Sequence, residues 1–469
     1  MSDKISILLN DEEMGIDIDI NDNEINSFIE LDDDLDFCDV SPLHNHMVKK
    51  EYFDIPGNID LTLLQNTFSK KDYQKALWFI SRLSRLHAYF NNKDWIQISA
   101  NHIRYFTGSR SNKVIVNKLV ELGYIEIMIS KNKQSYFVGK SSKSYKLVNP
   151  TKGIKVDCND MILNNNIKKW KYSRTVKAEL LSNATDTDKW LYTNLKDVKI
   201  NYQETNDIIE TYKEWLKYIK GIDGINNIND ESYIYIIDDY GRRHTNITSL
   251  SKKYRKLISF KSDHNIKLIE LDISCSQVIF FISKMLKDME SDFTQHRWMS
   301  NTSSPIPYTH LCCVKLESDV LRFRERVSLG MIYDDIKGYC NYMDRDSVKK
   351  DFFAYILYGY PTPSNDTRDI VKYFKTEYPT VWNYIQSKKA YPYSDERWKD
   401  LARDMQRIES KTMFNEILPK IIAKYPTTKV LTIHDSIICP ISVSRSVAEI
   451  MQREIEKLGI DVHIKMKEL

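Results

Sequence analysis

No CxxC pair occurs among the seven cysteines, Cys38, Cys158, Cys275, Cys312, Cys313, Cys340 and Cys439. Scattered cysteines argue against a zinc site or a disulfide framework, and for reduced thiols in an intracellular, cytoplasmic setting. No run approaches the roughly 18 apolar residues of a membrane span, so no membrane partner is expected. The opening MSDKISILLNDEE has neither a basic stretch nor a long apolar run, and does not read as a secretory signal. Glycine and proline are scarce, 13 and 12 among 469 residues, whereas Lys, Asn, Ile and Tyr are abundant. An AT-rich genome would leave the same bias.

What is present suits two or three domains, and 42% hydrophobic residues can build a sizeable core. The net charge of +3 hides an asymmetry. Residues 1–40 hold fourteen Asp and Glu against Lys4 alone, a local charge of −13, so the remainder carries +16. A basic body suits a polyanionic partner such as nucleic acid; it equally suits a solvated surface with no partner. Residues 1–60 read as a disordered acidic tail, because like charges are dense there. Such a tail docks on a basic groove or a protein partner, or serves only as a solubilising leader.

Residues 71–149 have the order helix, strand, helix, turn, helix and hairpin. Ser99 is placed to cap the second helix, Gly108 to end it, and Gly123 to stop the third. The stretch resembles winged helix-turn-helix DNA-binding domains. That resemblance implies a recognition helix offering Arg110, Asn112, Lys113 and Lys118. It also implies a wing offering Lys131, Lys133, Lys140, Lys143 and Lys146 to phosphates. A winged helix used only for protein packing would show the same pattern. Residues 150–234 are polar and mostly helical, and no chemistry is legible there.

Three later stretches carry candidate chemistry. In KLIELDISCSQVIFFISKML (267–286) an apolar strand ends at Asp272 and an apolar helix follows at once. A carboxylate at such a junction is rigidly held, as placing a divalent cation requires. In TTKVLTIHDSIICPIS (427–442) two strands flank a tight turn that carries His434 and Asp435. In DRDSVKKDFFAYILYGYP (344–361), Asp344 or Asp346 caps a helix running to Gly359. Lys350 and Tyr358, eight residues apart, fall on one side of it. Each piece alone also reads as a cap, a turn or a solvated helix face.

In this order and spacing the stretches resemble motifs A, B and C of the single-subunit RNA polymerases of phages and mitochondria, and of the related family A DNA polymerases. The resemblance covers residues 235–445. Motif A's D-x-S-C-S is matched by Asp272, Ser274, Cys275 and Ser276, motif C by His434, Asp435 and Ser436, and motif B by Lys350 with Tyr358-Gly359. Motif B's arginine has no clean counterpart. Counted from Lys350, Asp346 holds its place and Arg345 is one off, and Lys349 is the candidate substitute for that arginine. DDYGRRHTNITSL (238–250) resembles a segment upstream of motif A in the RNA polymerases, which would give Arg242 and Arg243 to strand phosphate. Gln406 and Glu409 would face the cleft from a helix before motif C.

The resemblance implies an α+β protein: a right-hand palm and fingers over 235–469, a helical thumb-like connection over 150–234, the winged helix, and the acidic tail. It implies two Mg2+ ions, or Mn2+, on Asp272 and Asp435, and nucleoside triphosphates and a DNA template as partners. Gln277 stands where the DNA enzymes carry a Glu that crowds the ribose 2′-hydroxyl and the RNA enzymes a small residue. Its bulk favours deoxynucleotides, whereas the D-x-S-C-S and HDS forms are those of RNA polymerases. The expected function is therefore RNA-polymerase-like nucleotidyl transfer in a virus or mobile element. A family A-like replicative DNA polymerase is the alternative, and a non-catalytic winged-helix replication initiator the third.

Overall fold

The computed structural model describes residues 51–90, 94–129, 142–173, 184–202, 209–299, 317–342 and 344–469. The chain is α+β, mostly helical with small antiparallel sheets. It divides into two compact units. One comprises residues 1–175, 200–232 and 250–254; the other comprises 176–199, 233–249 and 255–469. No helix among the described residues is long and apolar enough to cross a membrane.

The first unit opens on strand β1 (Tyr52–Ile55), which pairs antiparallel with β5 (Ile154–Asp157). This corrects the reading of residues 1–60 as one disordered tail. Phe53 and Ile55 are buried in the unit's core, and their contribution outweighs the acidic composition around them. Residues 1–50 lie outside the described residues. Helices α1 (Leu61–Thr67) and α2 (Lys70–Tyr89) follow, the second capped by Ser69, whose hydroxyl accepts from Asp72 N. Next come β2 (Ile96–Ile98), α3 (Ala100–Thr107), α4 (Ser109–Glu121), β3 (Ile125–Ile127) and β4 (Lys143–Leu147), with the sheet ordered β2-β4-β3.

The expected local signals act where they were read. Ser99 Oγ accepts from His102 N at 3.1 Å, and Gly108 and Gly123 adopt positive φ at the helix ends. Arg110 and Lys113 lie exposed on α4. Lys118 instead donates to Thr67 O at 3.0 Å and lies over the Phe68 ring, so it closes α1 within the unit. Lys143 begins β4, and Lys146 on the same strand pairs with Asp94. Lys131, Lys133 and Lys140 lie outside the described residues.

The second unit is built round a four-stranded antiparallel sheet. Its strands are β8 (Leu268–Ile273), β9 (Leu431–Ile433), β10 (Ser436–Pro440) and β11 (Ile464–Glu468), in the order β9-β10-β8-β11. Helix α6 (Ser276–Met299) leaves β8 after two residues, and its Val278, Ile279 and Ile282 are fully buried. Helix α5 (Asp186–Lys196) and the ribbon β6 (Tyr235–Ile237) and β7 (Arg243–Thr245) belong to the same unit. So do α7 (Arg345–Asp351) and α8 (Asp400–Lys411). Each of these last two runs on into a π-turn, Phe352–Leu357 and Thr412–Ile417.

Candidate active site

Strands β8 and β10 are neighbours, with Leu271 opposite Ile437. That register brings the end of β8, with Asp272, beside the β9–β10 turn formed by His434 and Asp435. Two residues close the turn between Ile433 and Ser436, and His434 takes a left-handed φ of 52°. Cys275, between β8 and α6, is also left-handed, at φ 55°. Non-glycine residues seldom adopt this conformation, and such strain concentrates at functional sites.

The two carboxylates are held crosswise. Ser436 of the turn donates to Asp272 Oδ1 at 2.8 Å. Ser276, from the β8–α6 junction, hydrogen-bonds Asp435. Each loop thus supplies the hydroxyl that orients the other loop's acid. Burial, with Glu409 and Asp272 close by, pushes Asp435 up to about 7. Crowded acids of this kind favour a divalent cation. Among the described residues no group of three or more His, Cys, Asp or Glu is arranged to hold a metal ion. Asp272 and Asp435 are the carboxylates that could hold one, since one or two carboxylates completed by substrate phosphates is a usual set for Mg2+.

A second chain of contacts runs alongside. The Tyr358 hydroxyl donates to Gln277 Oε1 at 2.8 Å, and Gln277 Nε2 donates to Glu409 Oε2. Glu409, 1% exposed, accepts both Nε and Nη2 of Arg242, at 3.1 and 2.9 Å. Tyr358, Gln277, Glu409 and Arg242 therefore form one network, and the Tyr358 ring stacks on Phe353 at 5.0 Å. Burial lowers His434 to about 3, assisted by Arg242, His244 and Arg255, so its ring is neutral at ordinary pH. That ring lies edge-on to His244 at 6.1 Å.

The arginines expected on strand phosphate are engaged inside the protein. Arg242 serves Glu409. Arg243, 8% exposed, pairs with Asp188 at 2.9 Å and lies 3.9 Å over the Phe414 ring, and Tyr235 also donates to Asp188. Freeing either guanidinium would leave a buried carboxylate unpaired, which costs several kcal/mol.

Helix α7 changes the reading of motif B. Asp344 caps it, accepting from Ser347 N at 2.7 Å. Arg345 and Lys349, four residues apart, both direct their charge at Cys275, and Arg345 also hydrogen-bonds its thiol. Lys350 acts instead on Asp344. An α-helix turns about 100° per residue, so Lys349 and Tyr358, nine residues apart, would lie on opposite faces. The π-turn removes the mismatch. Tyr358 N donates to Phe353 O, five residues back, at 2.7 Å, and the extra residue held there brings Lys349 to about 80° and Lys350 to about 20° from Tyr358, so both lie on its side. Arg345 and Lys349, which both act on Cys275, stand four residues apart, the arginine–lysine spacing of motif B.

Gly359 ends this helix at a point where a Cβ would meet Ala354 O at 1.8 Å, so only glycine fits. Lys389, 2% exposed, donates to Ile356 O and Gly359 O at 3.0 and 2.8 Å and so ties off the π-turn; sequence reasoning gave no sign of it. Burial depresses its amine to about 7. The folded protein releases this proton near pH 7, whereas an unfolded lysine keeps it to about 10.4. Stability should therefore rise between these values, by up to about 1.4 kcal/mol per pH unit. Lys389→Met should flatten that slope, as read from denaturant midpoints at several pH values. Equal slopes in the two proteins would rule the lysine out as the titrating group.

No family model and no curated protein matches the chain. Among solved structures it is similar to the POL domain of Pol1 from M. smegmatis, in complex with DNA primer-template and dNTP. The TM-score is 0.36 at 9% identity, over 84% of this chain and 71% of that one.

Proposed function

We propose that the chain is a template-directed nucleotidyltransferase whose reaction centre is Asp272 and Asp435. The observation that carries this reading is the pair of carboxylates on adjacent strands, each oriented by the other loop's serine. Two divalent ions bound there, Mg2+ or Mn2+, would activate the attacking hydroxyl and neutralise the departing pyrophosphate. The chain's own residues do the positioning. Ser276 and Ser436 fix the acids before substrate arrives, and Arg345 and Lys349 offer cations to the triphosphate. Tyr358 is locked by Gln277 beside the place of the incoming nucleotide. In unit one, Arg110 and Lys113 offer a surface for a DNA template.

The tethering of Gln277 bears on the sugar. Its amide is anchored at both ends, on Tyr358 and Glu409, so it cannot swing aside for a 2′-hydroxyl. This favours deoxynucleotides over the ribonucleotides that the D-x-S-C-S and HDS forms imply. Primer extension and unprimed synthesis, each with dNTPs and NTPs offered separately, test both statements. Incorporation lost in Asp272→Ala is the expected result. Gln277→Gly should narrow the preference for dNTPs about 10- to 100-fold, a range usual for crowding by a few atoms. Strong DNA binding with no incorporation by the wild-type protein would leave a non-catalytic initiator instead.

A further inference from the structure

Strand β11 lies at the edge of the sheet and pairs with β8, with Lys465 directly opposite Asp272. Opposed residues of an antiparallel pair project from the same face, with Cβ atoms about 5 Å apart. Lys465 therefore rises on the side of the sheet that carries the candidate metal carboxylate, with Ser436 bonded to Asp272 on its other flank. Lys465 is exposed and has no ion-pair partner among the described residues. Its charge, like those of Arg345 and Lys349, acts on Cys275 at the β8–α6 junction.

Three cations from two separate elements thus converge on a half-buried thiol, and burial holds that thiol above its ordinary value despite them. A neutral thiol does not balance them. Arg345 is met by Asp334 at 3.5 Å, but Lys349 and Lys465 have no ion-pair partner among the described residues, and unpaired cations beside a carboxylate pair match a polyphosphate that reaches over the metal centre.

We propose that Lys465 is a third triphosphate-binding cation, reaching from the C-terminal strand to the terminal phosphates of the incoming nucleotide beside Arg345 and Lys349. This rests on the nucleotidyl-transfer reading above. Lys465 holds the substrate and takes no part in bond making.

Lys465→Met keeps most of the stem and removes the charge. Lys467→Met, on the same strand opposite Glu270, is the control for a general loss of surface charge. Two quantities decide the matter: the KM and kcat for the incoming nucleotide, and the affinity for inorganic tripolyphosphate with Mg2+, titrated calorimetrically. Lys465→Met should raise KM and weaken tripolyphosphate binding about tenfold, with kcat changed far less, as expected for one charged hydrogen bond. Lys465→Arg should recover most of both, and Lys467→Met should change neither. Unaltered KM and tripolyphosphate affinity in a folded Lys465→Met protein would overturn the proposal and leave the polymerase reading standing. A wild-type protein that incorporates no nucleotide would end that reading, while the tripolyphosphate titration would still decide whether Lys465 binds phosphate. No tripolyphosphate binding by the wild-type protein would overturn the proposal outright.

Discussion

Asp435→Asn is expected to abolish nucleotide incorporation, by about 10³-fold or more, and to leave a protein that is more stable than the wild type in metal-free buffer. The loss of activity follows from removing one of two charges that must face a cation while negative charge develops on the substrate. The gain in stability follows from the same crowding. Asp435 titrates near 7 because burial, Glu409 and Asp272 oppose its ionisation. A carboxyl raised in this way binds its proton more tightly in the folded than in the unfolded state. Stability therefore falls as pH rises from about 4 to about 7, and the full cost persists above that. Asparagine keeps the shape and escapes this cost, a gain of up to a few kcal/mol (~1.4 per pH unit over that range) and so several degrees in Tm. Denaturation in EDTA at pH 5 and pH 8 reads the effect, which should be larger at pH 8. An Asp435→Asn protein that loses both activity and stability would mean that the carboxylate serves the fold.

Lys349→Ala should raise KM for the nucleotide about 10- to 100-fold, whereas Lys350→Ala should change it less than about twofold. The difference rests on where the two charges act, Lys349 with Arg345 on Cys275 at the β8–α6 junction and Lys350 on the Asp344 cap. A phosphate hydrogen bond from a charged side chain contributes about 1.5–3 kcal/mol. A lysine directed at an exposed helix cap contributes little. Steady-state kinetics on the two variants separates the readings, and a larger effect at Lys350 would contradict this assignment.

Much of the centre was legible because it is local. An apolar strand that stops at Asp272, a two-residue turn at His434-Asp435, and caps at Ser99 and Asp344 each announce themselves within a few residues. The π-turn did not. Phe352–Leu357 is apolar throughout, so no interrupted period marks the extra residue. The partners of the two arginines were hidden by distance: Arg242 meets Glu409 across 167 positions and Arg243 meets Asp188 across 55. The basic turn therefore read as a phosphate contact. Lys465 was invisible for the same reason, since only sheet register brings the last strand beside Asp272. The start of the first unit was misjudged because a four-residue strand, Tyr52–Ile55, follows an acidic stretch whose composition dominates any window over it.

Anomalous scattering from crystals grown with Mn2+ and a non-hydrolysable nucleoside triphosphate tests the metal centre most directly. Manganese is expected between the Asp272 and Asp435 carboxylates, with the triphosphate running towards Lys349. Manganese and nucleotide bound elsewhere, with these two carboxylates free of both, would contradict the assignment.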